Sequence, residues 1–320
     1  MKIAILDDYQ DMVKDLDCFK ILADYEVKVF NSTYTNSDEL ASKLTDFDVL
    51  VLIRERTVIT EELLSKLPKL KLISQTGKIS NHINLDLCKK YNVEIVEGIG
   101  SPIAPAELSW SLIMAASRNI PEYVSNLSQG IWQQSGSLGL GRTLNGLTLG
   151  IWGYGKIGQR IAKFANVFGM NVLVFGREPS QILAKEHGFE ATSSKEKFFK
   201  ESDIITLHLR LNEDTKECVT KEDLQLMKPD SLFVNTSRAE LIQSGALYEE
   251  MLNNPSKRAA IDVYENEPAT KENEPLLSLE NVLCSPHLGY VEKNSYELYF
   301  KIAFENIVAF AKGEAQNLAK

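Results

Sequence analysis

Three glycines, Gly153, Gly155 and Gly158, stand in Gly-x-Gly-x-x-Gly spacing within LTLGIWGYGKIGQRIAKFANVFGMNVLVF. A strand-like run precedes them, a helical pattern starts at Lys156, and a second strand-like run begins near Asn171. Glycine at such a turn lets the backbone bend tightly and approach a pyrophosphate, whose charge then rests on the helix N-terminus. The chemistry implied is dinucleotide binding through Gly153, Tyr154, Gly155, Lys156, Ile157 and Gly158, with a purely structural glycine turn as the alternative. A P-loop is excluded, because Gly155-Lys156 is followed by Ile157 and not by Ser or Thr.

Candidates for proton transfer narrow quickly, since the chain has four histidines. His187, before Gly188 at the end of a polar helical pattern, suits a surface or C-terminal dipole role. His208, inside IITLHL, reads as a packed strand histidine; His82, in the polar loop SNHIN, is uninformative, although a ligand could reach it. His287 differs. It follows the strand-like NVLCSP, at the strand end where open α/β sheets bind ligands. Arg238 follows LFVNTS and Glu267 follows AAIDVYEN in the same manner. An Arg that grips a carboxylate, a His that donates a proton and a Glu that favours the charged imidazolium are the components needed to reduce a 2-oxo acid. Spacing alone leaves three ordinary surface residues as the alternative.

The elements that must position these groups alternate. KIAIL, EVKVF, VLVLI, KLIS and VEIV read as strands, with helices expected over 11–23, 37–44, 60–67 and 84–91. A long helix is expected from Ala106 to about Arg118, followed by an irregular glycine-rich stretch from Gly130 to Gly146. A second series follows: LTLGIW, a helix from Lys156, NVLVF, a helix near 182–186, IITLHL, LFVNT, AAIDV and NVLCSP, closed by a helix over 294–311. Strict alternation implies α/β architecture with doubly wound parallel sheets, and 320 residues suit two domains. The 35 Lys and Arg against 44 Asp and Glu give a net charge of −9, which disfavours nucleic acid and anionic membrane as partners. Four scattered cysteines suggest neither a zinc site nor a disulfide framework, and the apolar stretch 108–117 is too short to span a bilayer, so a cytoplasmic location is expected.

RERTVIT, PAELSWSLIMAASRNIP, GYGKIG, SDIITLHL, LMKPDSLFVNTSRAELI, AAIDVYENEP and SPHLGY occur in an order that resembles the D-isomer-specific 2-hydroxyacid dehydrogenases. The resemblance spans almost the whole chain. It implies a Rossmann coenzyme domain over 101–288 and a flavodoxin-like substrate domain formed by 1–100 with 289–320, without the C-terminal regulatory domain of longer phosphoglycerate dehydrogenases. It also implies a homodimer formed through the coenzyme domain, NAD(P) as cofactor, and no metal. Arg238, Glu267 and His287 match the family's catalytic residues. Asp262 matches the Asp that holds the nicotinamide amide, and Thr236 lies on the adjacent cofactor-contacting turn. Arg54 matches an Arg near the substrate, and Gly77, Lys78 and Ile79 match the loop that holds the substrate's carboxylate.

Three departures from the family pattern matter. The loop commonly reads Gly-x-Gly, whereas here it is Gly77-Lys78-Ile79, which loses a glycine and gains a cation. The usual Pro two residues after His208 is Arg210. An acidic residue expected after the second nucleotide-binding strand is replaced by Gly176-Arg177, with Glu178 next as a competing acid. Arg177 and Arg210 point to NADP(H) over NAD(H). The reading is hydride exchange between a nicotinamide cofactor and a small D-2-hydroxy or 2-oxo acid, with Arg56 and Lys78 adding positive charge near the substrate. The alternatives are a dinucleotide-sensing, co-repressor-like interaction protein and a formate dehydrogenase.

Overall fold

Five short aliphatic runs form the first sheet: β1 (Lys2–Ile5), β2 (Glu26–Val29), β3 (Val49–Leu52), β4 (Leu72–Gln75) and β5 (Glu94–Glu97). In this computed structural model, which describes residues 1–319, every pairing is parallel and the order is β2-β1-β3-β4-β5. That is the flavodoxin-like order, with its reversal between β1 and β3. VLVL of β3 is buried at every position because helices cover both faces. One face packs Leu50, Leu52, Ile73 and Ile95 against Leu40, Leu44, Leu63 and Leu64. The other meets the helix Lys293–Ala311, where Ser74 Oγ donates to Ala303 O at 2.9 Å. Met1–Ser101 and Glu292–Lys320 thus form one compact unit, and Pro102–Val291 forms the other.

The second unit holds seven strands: β6 (Thr148–Trp152), β7 (Asn171–Phe175), β8 (Glu190–Thr192), β9 (Ile204–Leu207), β10 (Leu232–Asn235), β11 (Arg258–Ile261) and β12 (Val282–Cys284). They are parallel throughout, in the order β12-β11-β10-β9-β6-β7-β8. This is a Rossmann arrangement whose direction reverses beside β6, so its ligand crevice falls at the C-terminal end of that strand. Side chains alternate between two cores: on β10, Leu232 and Val234 enter one and Phe233 the other.

The structure corrects several local expectations. No single helix runs over 11–23; two 3-10 helices, Val13–Asp15 and Asp17–Leu22, flank an extended Leu16. Carboxylates intercept the N–H groups that a continuous helix would use internally: Asp8 Oδ2 takes Val13 N at 2.9 Å, and Glu297 takes Asp17 N and Cys18 N at 2.6 and 3.1 Å. The helix expected near 182–186 spans Glu178–Glu186, because Pro179 is pre-set for a first helical turn and Glu178 suits its dipole. β9 ends at Leu207, so His208 lies just beyond the strand. Strand β8 and the helices Ile120–Ser128, Lys195–Glu201, Lys221–Gln225 and Ala246–Asn253 are additions to the expected elements, although Thr220 with Asp223 forms a capping box, Ser194 caps Lys195–Glu201 and Pro121 stands in the first turn of Ile120–Ser128. Among the described residues, no helix is long and apolar enough to cross a membrane.

Candidate active site

The glycine loop leaves β6 and enters the helix Lys156–Val167 with Gly155 as N-cap. Its three glycines serve three different purposes. Gly153 has φ +104°, and a Cβ there would stand 2.5 Å from His208 O. A Cβ on Gly158 would stand 2.2 Å from Gly153 O, so this glycine lets the helix sit against the strand. Around Gly155 nothing lies within 4 Å of an added Cβ. Here a backbone faces open space at a helix N-terminus, a cradle that fits a pyrophosphate and that a side chain would fill. The Tyr154 ring is buried in the core, and its hydroxyl is 3.0 Å from His187 Nδ1, so only the Tyr154 backbone is left for a cofactor.

Arg238, Glu267 and His287 follow β10, β11 and β12, three neighbouring parallel strands that deliver them to one sheet edge. His287 has φ +52°, and Glu267 Oε2 accepts from its Nδ1 at 2.7 Å. The carboxylate can only accept, which places a proton on Nδ1 and leaves Nε2 as the nitrogen for exchange. Glu267 is itself held by Tyr264 N, which donates to Oε1 at 3.1 Å. The Tyr290 ring stands edge-on to the imidazole with centroids 5.7 Å apart. Asn235 fixes the Arg238 turn from both sides, donating to Arg238 O at 2.7 Å and accepting from Ser237 N at 3.0 Å.

Asp262 is fully buried at the end of β11 and organises the His287 loop, accepting from Ser285 Oγ at 2.6 Å, Leu288 N at 2.7 Å and Gly289 N at 3.0 Å. Burial raises its carboxyl above the ordinary range, and these hydrogen bonds oppose the shift. Thr236 Oγ1 is 2.6 Å from Ser109 Oγ, on the helix Ile103–Ser117. Arg177, the N-cap of Glu178–Glu186, makes no side-chain capping bond and is exposed, as are Glu178 and Arg210. In sheet order β6 alone separates β7 from β9, so Arg177 and Arg210 leave strands roughly 10 Å apart.

The first unit carries the remaining candidates. Arg54, at φ +55° after β3, lays its guanidinium over Gly77, where an added Cβ would overlap Nη1, and over the Tyr299 ring at 5.9 Å. Arg56 donates to Asp7 O at 2.6 Å and stacks on Tyr9 at 4.3 Å. Lys78 and Ile79 N are both engaged by Glu97, a residue the sequence reading passed over. Its signal was a carboxylate ending the strand beside β4. His82 is buried near Gln75, 3.3 Å from Nε2 to Oε1, and is no loop residue open to a ligand.

Residues 110–289 match the family described as D-isomer specific 2-hydroxyacid dehydrogenase, NAD binding domain. The chain belongs to the D-isomer-specific 2-hydroxyacid dehydrogenase family. Across this oxidoreductase family it is 35% identical over 305 residues to D-3-phosphoglycerate dehydrogenase of Methanocaldococcus jannaschii, covering 94% of this chain and 57% of that protein. It is 34% identical to glyoxylate reductase of Thermococcus litoralis, covering 86% of this chain and 84% of the relative. The crystal structure of phosphoglycerate oxidoreductase from Vibrio cholerae o395 superposes with a TM-score of 0.97 at 63% identity, covering 98% and 99% of the two chains. The family's NAD-binding domain is therefore the unit that carries the glycine loop, Arg238, Glu267 and His287.

Proposed function

We propose that this chain reduces a small 2-oxo acid to the D-2-hydroxy acid, and runs the reverse oxidation, with a nicotinamide cofactor. The observation that carries the reading is the 2.7 Å contact of His287 with Glu267 on the sheet edge that also presents Arg238, in the unit that holds the glycine loop. The bound nicotinamide supplies or takes the hydride. His287 Nε2 gives a proton to the substrate oxygen in reduction and removes it in oxidation, while Glu267 holds the ring and its tautomer. Arg238 grips the carboxylate and polarises the carbonyl. Gly153 to Gly158 take the pyrophosphate, and Thr236 and Asp262 serve the nicotinamide end. Residues 102–291 act as the coenzyme domain; the first unit, with Arg54 and the 77–79 loop, acts as the substrate domain.

NADP(H) is the favoured form, supported by the exposed Arg177 and Arg210. The chain works as a homodimer in the cytoplasm. An exposed stripe of Ile120, Val124 and Leu127, continued by Trp132 and Leu140, supports the dimer, and four free thiols support the reducing location. The test is consumption of NADPH and NADH with glyoxylate, hydroxypyruvate, phosphohydroxypyruvate and a bulky apolar 2-oxo acid. Turnover of at least one small 2-oxo acid is expected, and no turnover with any of them overturns the proposal.

A further inference from the structure

A buried hydroxyl interrupts an apolar helix stripe beside the turn that follows β10. Ser109, in the helix Ile103–Ser117, has no exposed surface and shares its face with Ala106, Ile113 and Ala116. Packing alone does not call for a hydroxyl there. Ser109 Oγ meets two oxygens, Pro105 O at 2.7 Å and Thr236 Oγ1 at 2.6 Å. A serine hydroxyl carries a single proton and a carbonyl oxygen can only accept, so the Ser109 proton points at Pro105 O. Thr236 must therefore donate to Ser109. Ser111, exposed on the same helix, makes the same backward bond to Glu107 O at 2.8 Å, so donation to the preceding turn is how serine behaves in this helix. Register explains how Thr236 reaches it. Asn235 ends β10 opposite Ile261 of β11, which sets Thr236 beside Asp262, and alternation from Val234 turns Thr236 to the face that the helix covers.

We infer that Ser109 is a positioning residue that takes the Thr236 proton and so fixes the Thr236 hydroxyl as a hydrogen-bond acceptor, which selects a cofactor ring whose side group offers an N–H. The inference rests on the functional reading above, in which Thr236 serves the nicotinamide end. Its physical basis is a proton inventory. With its only proton committed to Ser109, the half-buried Thr236 Oγ1 has lone pairs and nothing to donate. Donation into the chain that ends on Pro105 O also makes that oxygen a better acceptor. A carboxamide has an N–H to give, and turning the group about its ring bond presents either the N–H or the carbonyl. The acceptor at Thr236 admits the first and repels the second. An acetyl group in the same place has a carbonyl and a methyl, so neither orientation supplies a donor, and the Thr236 oxygen loses its water without gaining a partner.

The test measures dissociation constants of the full chain for the oxidised cofactor and for its 3-acetylpyridine analogue, in whichever of the NAD and NADP series wild type binds more tightly. Wild type should prefer the carboxamide by about tenfold. Ser109→Ala frees the Thr236 proton to turn toward the ligand, where a ketone oxygen accepts it, and should lower that preference about fivefold. Thr236→Val removes the acceptor and should lower it by a similar factor, whereas Thr236→Ser keeps the hydroxyl and should keep the preference. Adding Ser109→Ala to Thr236→Val should change nothing further, because Ser109 acts through Thr236. A merely structural role would weaken both dinucleotides alike and leave the ratio unmoved. A wild type without preference, an unchanged ratio in Ser109→Ala, or a further fall in the double variant overturns the inference and leaves the parent reading standing. Should Thr236→Val not fold, Ser109→Ala still decides, since alanine is smaller than serine and favours the helix. A wild type that binds no dinucleotide of either series overturns the parent reading, and this inference with it.

Discussion

His287 Nδ1 and Glu267 Oε2 lie 2.7 Å apart, although 20 residues separate them in sequence and they follow different strands. With Tyr264 N holding the other carboxylate oxygen, the pair fixes the ring from behind. His287→Ala should lower kcat by roughly 10²- to 10⁴-fold and leave cofactor binding nearly intact, since the role proposed for the imidazole is proton transfer and not phosphate binding. Glu267→Gln should lose less, because the amide oxygen still accepts from Nδ1. Steady-state kinetics with a cofactor titration checks both; near-normal turnover in His287→Ala removes the assignment.

The glycine loop separates fold from binding. Gly153→Ala places a Cβ 2.5 Å from His208 O at φ +104°, and should cost about 2–4 kcal/mol of stability. Gly155→Ala meets nothing within 4 Å, so Tm should hold while KM for the cofactor rises about tenfold. Thermal denaturation beside kinetics distinguishes them. A Gly155→Ala variant with unchanged KM would mean that the pyrophosphate lies elsewhere.

Arg177 is exposed and makes no capping bond, so its removal should not disturb the helix that follows it. Arg177→Ala should raise KM for NADPH at least about tenfold and leave that for NADH nearly unchanged. Equal effects on both cofactors, or a wild-type preference for NADH, would assign the ribose to Glu178 instead.

Burial lowers the pKa of His208 from 6.5 to about 3. The folded state therefore keeps this ring neutral where the unfolded chain protonates it, so stability is lost as pH falls below 6.5 toward about 3. The slope from this group approaches roughly 1.4 kcal/mol per pH unit. His208→Gln cannot titrate, so the stability of wild type relative to this variant should drop between pH 8 and pH 5 in denaturant unfolding. A constant difference would show that the ring is solvated.

The stripe of Ile120, Val124 and Leu127 lies on a helix with no buried residue in the single chain. Val124→Glu with Leu127→Glu should convert a dimer to a monomer in sedimentation velocity. A wild-type monomer at micromolar concentration would contradict the proposed assembly.

The sequence by itself determined what depends on near neighbours. Alternating aliphatic runs and helical patterns specify parallel α/β sheets, because period and polarity are local properties. The strand, glycines and helix of 148–167 announce a nucleotide turn within twenty residues of chain. Arg238, Glu267 and His287 stood out because each follows a strand, and parallel sheets bring strand ends to one edge. Locality also explains the misreading of 11–23, where carboxylates from Asp8 and the distant Glu297 take the N–H groups that a helix would have used. Only the tertiary structure decided the partners: Glu267 at His287, Ser109 at Thr236, Ser285 at Asp262, and Glu97 across the loop of Lys78 and Ile79. Such pairs are set by strand order and register, which follow from packing of whole elements, and the contacts of a carboxylate such as Glu97 become visible only once β5 lies beside β4.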